Sequence, residues 1–249
     1  MTKQLLLIDG NSIVFRAFFA MHNQMDKFTN KDGLHTAAIY GFKLMLDHVL
    51  QNFKPDAALV AFDAGKVTFR TKMYDDYKGG RNKTPNELTE QIPYVRELIK
   101  DSGLHSYELA NYEADDIIGT LAKQADDAGY KTLIVTGDRD LTQLASENTT
   151  VAVTHKGVTD TEHYTPAHVE EKLGITPRQI IDMKALMGDS SDNYPGVTKI
   201  GEKTAIKLVK QFGSVEELYD HIDDLKKSKM KEHLIEDEEV ARQCKTLAT

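Results

Sequence analysis

Between Tyr112 and Asp140 the chain sets five carboxylates, Glu113, Asp115, Asp116, Asp138 and Asp140, around one helix-and-strand stretch. Left uncompensated, such a group repels itself. All-oxygen ligand sets suit hard cations such as Mg²⁺ or Mn²⁺, whose charge removes the repulsion. On an ideal helix Glu113 and Asp116 share a face while Asp115 points nearly opposite, so convergence needs Glu113 to precede the first full turn. Singly, each acid reads as a helix cap, a dipole partner or turn chemistry. Together they favour metal binding. Asp9 closes the apolar run Leu5-Leu6-Leu7-Ile8, Asp63 closes Ala57 to Phe62, and Asp138 follows Leu133-Ile134-Val135, so three acids occupy equivalent places at strand ends. Asp189 and Asp192 add two more between Gly188 and Gly196.

These positions require a scaffold. The three apolar runs read as buried strands, and helical patterns separate them: Gly10 through Phe19, Thr36 to Phe53, one from Pro85 to near Gly103, and Asp115 onward. Strands alternating with helices of that length argue for an α/β fold with a mostly parallel central sheet flanked by helices. Open sheets of this kind place ligands beyond the carboxyl ends of their strands. A short helix ends at Ala145, and Thr149–Thr154 with Val158–Tyr164 alternate like a hairpin joined at Lys156-Gly157. Thr165-Pro166 and Thr176-Pro177 each announce a helix. This divides the chain into an α/β domain over 1–175 and a helical domain over 176–249.

Two stretches are suited to phosphates. From Lys66 to Lys83 the basic residues Lys66, Arg70, Lys72, Lys78, Arg81 and Lys83 interleave with Phe69, Tyr74 and Tyr77, a pattern for a single strand: charge for the backbone, rings for the bases. The plainer reading is a solvated loop; its place directly after Asp63 favours function, and residues 66–85 are expected to be disordered without DNA. Further on, Gly196-Val197-Thr198-Lys199-Ile200-Gly201 turns into a helix that stops near Gly213, and a second short helix starts at Ser214, forming a helix-hairpin-helix over 196–220. Backbone amides there, with Lys199, Lys203, Lys207 and Lys210 as one stripe, suit duplex phosphates. A solubilising helix face fits the lysine spacing equally well.

With 249 residues the chain is long enough for one large domain or one with a smaller lobe. No run approaches the length of a membrane span, and the cytoplasm is the expected compartment, with nucleoid association. The single cysteine, Cys244, can form no internal disulfide, and the nine histidines show no zinc spacing. A net charge of −8 argues superficially against nucleic acid. Setting aside the nine candidate metal acids leaves the rest close to neutral, and bound divalent ions would turn the site positive. The end of the chain carries no capping signal, as expected of a piece cut from something longer. A phosphatase of the haloacid-dehalogenase type is rejected, because it needs a second aspartate where Asn11 stands.

Ile8-Asp9-Gly10-Asn11-Ser12 with Arg16, Phe62-Asp63-Ala64-Gly65, Tyr77-Lys78 with Arg81, Glu113-Ala114-Asp115-Asp116, Gly137-Asp138-Arg139-Asp140 and Gly188-Asp189-Ser190-Ser191-Asp192-Asn193 resemble, in order, the motifs of the 5′ nuclease (flap endonuclease) family. The likeness is greatest to the N-terminal 5′→3′ exonuclease domains of bacterial family-I DNA polymerases. It implies a PIN-like 5′ nuclease fold with a helix-three-turn-helix subdomain, and the segment 66–85 as an arch. It implies two Mg²⁺ ions, which Mn²⁺ can replace: Asp9, Asp63, Glu113 and Asp115 would serve one, Asp138, Asp140 and Asp192 the other, with Asp116 and Asp189 acting directly or through water. Lys78 and Arg81 would hold the scissile phosphate, Tyr77 would stack on the terminal base, and Arg16 would touch a nearby phosphate. Arg70, Lys72, Lys83, Gly196, Val197, Lys199, Ile200, Gly201, Lys203 and Lys207 would grip the DNA, with a K⁺ ion at the hairpin turn. Thr198-Lys199 stands where Pro-Gly is common in that family.

The implied reaction is metal-dependent hydrolysis of phosphodiesters at a 5′ end, on flapped, branched or nicked duplexes and on RNA primers, beside polymerase domains. A non-catalytic module for branched DNA would need the hairpin and the basic segment but not nine intact acids. A PIN-type ribonuclease would share the acidic sheet edge but lack the hairpin from Gly196.

Overall fold

The structure is a computed structural model that describes residues 2–21, 27–157 and 159–249. Its contacts divide into two compact units, one of Met1–Thr68 with Lys83–Thr165 and the other of Phe69–Asn82 with Pro166–Thr249. The first begins with β1 (Gln4–Asp9), α1 (Gly10–Met21), α2 (Ala37–Phe53) and β2 (Ala57–Ala61). In the second lies α3 (Phe69–Met73). The first unit resumes with α4 (Asn86–Thr89), α5 (Ile92–Asp101), β3 (His105–Tyr107), α6 (Ala114–Asp127), β4 (Lys131–Thr136), β5 (Thr149–Lys156) and β6 (Asp160–Tyr164). The second unit continues with α7 (Pro166–Leu173), α8 (Gln179–Met187), α9 (Glu202–Phe212), α10 (Val215–Asp220), α11 (Lys229–Glu236) and α12 (Glu238–Ala248).

The described strands form one sheet in the order β3-β2-β1-β4-β5-β6. All neighbours are parallel except β5 and β6. The central strand β1 is buried on both faces, with Leu6, Leu7 and Ile8 each at 0 % exposure, which is why its sequence is a continuous apolar run. Around it Ile13, Val14 and Phe18 of α1, Phe42, Met45 and Leu46 of α2, and Val95 and Ile99 of α5 close the core. The chain leaves β1 toward β2 on one side and reaches β4 on the other, so the order reverses between β1 and β4. That is the switch point at which open sheets bind ligands.

Three expectations change. The single helix from Pro85 is two, α4 and α5, because Pro93 lies in the first turn of α5 and supplies no N–H to continue the earlier turn. Buried Gln91 bridges the break: its Oε1 accepts from Ala38 N (2.7 Å) and its Nε2 donates to Glu87 O (2.7 Å). The edge strand β3 was not expected; all three of its residues are exposed, so His105-Ser106-Tyr107 carries no hydrophobic pattern. The basic segment is ordered, with α3 formed and Arg70 and Tyr77 buried. The hairpin of β5 and β6 forms as expected, while Val158 lies outside the described residues. Among the described residues no helix is long and apolar enough to cross a membrane.

Candidate active site

In the first unit, β1 ends on Asp9, and the turn into α1 folds back on it. Ser12 N donates to Asp9 Oδ1 (3.0 Å) and Thr136 Oγ1, at the end of β4, donates to Asp9 Oδ2 (2.8 Å). The same Thr136 hydroxyl accepts from Asp138 N (2.9 Å), and Asp138 Oδ1 accepts from Asp140 N (2.8 Å). Ser12 Oγ accepts from Gly137 N (2.8 Å). A Cβ on Gly137 would lie 2.7 Å from that Oγ, so glycine is needed for the approach. Asp9 and Asp138 therefore sit on one hydrogen-bonded seam across the switch point.

Asp63 lies two residues past β2 and joins the other side of the edge. Its Oδ1 accepts from Ala114 N (2.8 Å), at the start of α6, and its Oδ2 from Asn11 Nδ2 (3.1 Å). Glu113 is the N-cap of α6, as the helical spacing requires, and Asp116 Oδ2 reaches back to accept from Glu113 N (2.8 Å). Asp115 follows in the first turn, half-buried. The electrostatics register this crowding. Asp9 is almost completely buried, and its carboxyl is pushed up to about 6. Burial is the main cause, with the fields of Asp63 and Asp138 adding to it against the hydrogen bonds from Ser12 and Thr136. Three sequence-predicted acids thus share one field. Among the described residues no three His, Cys, Asp or Glu side chains stand close enough to hold an ion. The donor chemistry, oxygen-only and self-repelling, nevertheless fits a hard divalent cation.

The second unit holds the other two acids in a loop pinched by glycines. Gly188 (φ 73°) and Gly196 (φ 64°) lie in the left-handed region, and a Cβ on Gly196 would lie 2.2 Å from Gly188 N. Inside it, Asp189 and Tyr194 exchange backbone hydrogen bonds (2.9 and 3.0 Å). Asp189 is buried, and both its oxygens are engaged. Oδ1 accepts from Ser191 N and Oγ (both 2.6 Å) and from Asp192 N (3.2 Å), and Oδ2 pairs with Lys184 Nζ. Burial works against ionisation, but hydrogen bonds from Lys184 and Ser191 outweigh it and hold this carboxyl well below the usual range. Asp192 accepts from Tyr77 OH at Oδ2 (3.0 Å) and pairs with Arg81 at Oδ1 (2.6 Å). Its carbonyl accepts from Lys78 N (2.8 Å), and Asn193 Nδ2 donates to Asp76 O (2.8 Å). Tyr77, predicted to stack on the terminal base, and Lys78 and Arg81, predicted to hold the scissile phosphate, therefore all bond to a predicted metal ligand, Lys78 through its backbone N–H.

Several predicted DNA contacts are placed differently. Arg70 is a correction: it is 4 % exposed, with Nε donating to Leu247 O (2.9 Å) and Nη2 to Thr249 O (2.6 Å), so it caps the carbonyl end of α12 and has no surface for DNA. Arg16 donates from Nε to Gly157 O (3.1 Å) and from Nη2 to His155 O, which ties it to the β5–β6 hairpin. At the helical hairpin, the amides of Val197, Thr198 and Ile200 are already bonded to Leu186 O, Asp237 Oδ2 and Val197 O. Gly201 is the N-cap of α9 and has open space where a side chain would stand. Lys72, Lys83, Lys199, Lys203 and Lys207 are exposed. Lys199 adopts φ 62°, the left-handed conformation that glycine accepts without strain, which accounts for glycine at this point in the resembling family. The sequence reading missed Asn11, Ser12, Thr136 and Lys184 as partners of the acids. Asn11 and Ser12 stand in the motif that carries the family resemblance, but nothing in the sequence marks them as partners of the acids.

Comparison with known proteins gives this arrangement a family. Residues 4–174 match the model of the 5′-3′ exonuclease N-terminal resolvase-like domain, and residues 175–249 that of the 5′-3′ exonuclease C-terminal SAM fold. The chain is 60 % identical to a DNA polymerase I of Streptococcus pneumoniae and 57 % identical to that of Bacillus subtilis, each over 247 residues. It is covered to 99 % in both, but spans only 28 % of either relative's length. A crystal structure of bacteriophage T5 D15 flap endonuclease, in a pseudo-enzyme-product complex with DNA and metal ions, shares the fold at a TM-score of 0.81 and 23 % identity, over 99 % of this chain and 89 % of that one. The mostly parallel sheet, the acidic edge and the two matched domains lead to one assignment: the chain belongs to the 5′-3′ exonuclease family of hydrolytic nucleases.

Proposed function

We propose that the chain hydrolyses phosphodiester bonds near the 5′ end of flapped, branched or nicked DNA duplexes and of RNA primers, as the nuclease part of a longer DNA polymerase in replication and repair. The observation that carries this is the seam of acids at the switch point, where Asp9 and Asp138 share the Thr136 hydroxyl and Asp63 is fixed at the start of α6. Asp9, Asp63, Glu113, Asp115, Asp116, Asp138 and Asp140 would hold Mg²⁺ there, with Mn²⁺ as a substitute. Divalent ions bound to them would supply an activated water and neutralise charge on the phosphate, so the reaction needs no side-chain nucleophile.

The chain's own residues do the rest. Thr136 and Ser12 orient Asp9, and Ala114 N orients Asp63, so the acids present fixed oxygens. In the second unit Asp192 is the candidate ligand, and Asp189, with both oxygens committed, acts by shaping the loop that presents it. Arg81, half-exposed, and Lys78 would hold a phosphate and offset charge on the departing 3′ oxygen; Tyr77 would act through its hydroxyl on Asp192 rather than as a stacking platform. Water adds to phosphorus, the P–O3′ bond breaks, and the products are a 5′-phosphate and a 3′-hydroxyl. Exposed Lys199, Lys203 and Lys207 and the α9 N-terminus at Gly201 would grip duplex phosphates, with K⁺ at the turn.

The test is a 5′-flap duplex labelled at the 3′ end of the flap strand, incubated with Mg²⁺ and with EDTA. Cutting at the junction that EDTA abolishes is expected. Binding without cutting, in Mn²⁺ as well as Mg²⁺, would overturn the catalytic reading in favour of a branched-DNA-binding module.

A further inference from the structure

Asp63 is half-buried, and the chain that follows it is open to solvent, an unsteady place for a residue that must be held still. The last strand-like bond before it runs from Phe62 N to Tyr107 O (2.9 Å), and the residues after it, Ala64 to Val67, are all exposed. What grips it is a side chain from another element. Asn11 Oδ1 accepts from the Asp63 backbone N–H (3.2 Å), while Asn11 Nδ2 donates to Asp63 Oδ2 (3.1 Å). One amide thus closes on both the backbone and the carboxylate of a residue 52 positions away. The far oxygen, Oδ1, is fixed by Ala114 N at the start of α6.

The approach is built in. A Cβ on Gly10 would lie 2.6 Å from the Phe62 ring and 2.9 Å from Ala61 O, so the β1–α1 turn reaches β2 only because residue 10 is glycine. Asparagine suits the place it reaches, because an N–H and a carboxylate lie there side by side and its amide offers one acceptor and one donor in one plane. Aspartate there would set a second negative charge against Asp63, serine would make one of the two bonds, and alanine neither.

We propose that Asn11 is a positioning residue that fixes the rotamer of Asp63 for divalent-cation binding at the sheet edge. The inference rests on the reading of Asp63 as a metal acid. Asn11 touches neither substrate nor ion; it acts through Asp63, as outer-shell partners of metal ligands do.

The experiment measures Mn²⁺ binding to the DNA-free chain by electron paramagnetic resonance, for wild type, Asn11→Ala and Asn11→Ser, alongside melting temperature, flap-duplex binding in EDTA and cleavage against Mn²⁺ concentration. Asn11→Ala is expected to weaken Mn²⁺ binding about tenfold. The Mn²⁺ needed for half-maximal cleavage should rise by the same factor, with most of the rate recovered at saturation and DNA binding unchanged. Asn11→Ser should fall between, and it carries the test if the alanine variant does not fold. A lowered melting temperature with unshifted Mn²⁺ curves would show a merely structural role and overturn the proposal. Failure of the wild type to take up Mn²⁺ would overturn both this inference and the metal reading beneath it, whereas wild-type uptake with unaltered variants overturns the inference alone.

Discussion

Asp9 and Asp189 are both buried aspartates at the close of a secondary-structure element, and they ionise in opposite directions. Around Asp9 burial, aided by the fields of two further acids, outweighs an N–H and a hydroxyl that favour the charge, and the carboxyl rises to about 6. Around Asp189 the Gly188–Gly196 loop supplies Lys184 and two donors from Ser191, and the carboxyl falls. Asp192, in the same loop, pairs with Arg81. The second unit therefore brings cations of its own to its acids, while the seam of the first surrounds Asp9 with acids and neutral donors. A fold that kept such a seam only for stability would do better with neutral residues. On the proposed function, a cation arriving from solution would offset the charge of the seam, and the loop would hold Asp192 in place.

Acid substitutions can break this contrast, and the largest effect falls on turnover. Asp115→Asn should lower flap cleavage on the order of 10³-fold through loss of several kcal/mol of transition-state stabilisation, while binding to the same duplex in EDTA stays within about twofold. Unchanged turnover would remove the α6 acids from the site. In the loop the expected effect is on stability. Asp189→Asn takes a carboxylate away from the mostly buried Lys184 ammonium and should cost about 3 kcal/mol in denaturant unfolding. Replacing Lys184 by Met in the same chain should restore part of it.

At the sheet edge the sign reverses. The folded value of Asp9, about 6, lies above its ordinary 3.8, so the folded state holds this proton more tightly and ionisation costs stability as pH rises between the two, levelling off above. Asp9→Asn should therefore stabilise the EDTA-treated chain by about 2 kcal/mol at pH 7.5, with the gain gone below about pH 4. Saturating Mg²⁺ should reverse the order, because only the wild type gains binding energy there. The depressed value of Asp189 works the other way: its contribution is present at neutral pH and is lost as pH falls below the ordinary carboxylate value. The smallest effect is expected at Arg81, whose side chain is 52 % exposed. Arg81→Ala should change stability by less than about 1 kcal/mol, which a thermal melt would show. A larger loss would make the Arg81–Asp192 pair a structural clamp and blur the contrast.

The sequence made much of this legible. The apolar runs of β1 and β4 announce buried parallel strands, and acids directly after such runs fall at the carboxyl edge because the chain has nowhere else to go. The spacing of Glu113, Asp115 and Asp116 placed a helix start, and Glu113 is the N-cap. Arg70 shows where such reading stops. Its neighbours Lys66 and Lys72 are exposed, and nothing in the local sequence separates it from them, yet its guanidinium is bonded to a carbonyl 177 residues away. The tie from Asn11 to Asp63 is not legible in the sequence, since the partner is reached by a turn meeting a strand and not by any period along the chain.

By itself, then, the sequence determined the alternation of elements, the positions of the acids on them and the oxygen-only chemistry of the edge, because periodicity, capping and residue type are local properties. The tertiary structure decided which acids share one field, which are paired with a lysine or arginine in the Gly188–Gly196 loop, and which basic residues face solvent. Charge compensation depends on distance in space and on burial, and neither can be read from separation along the chain.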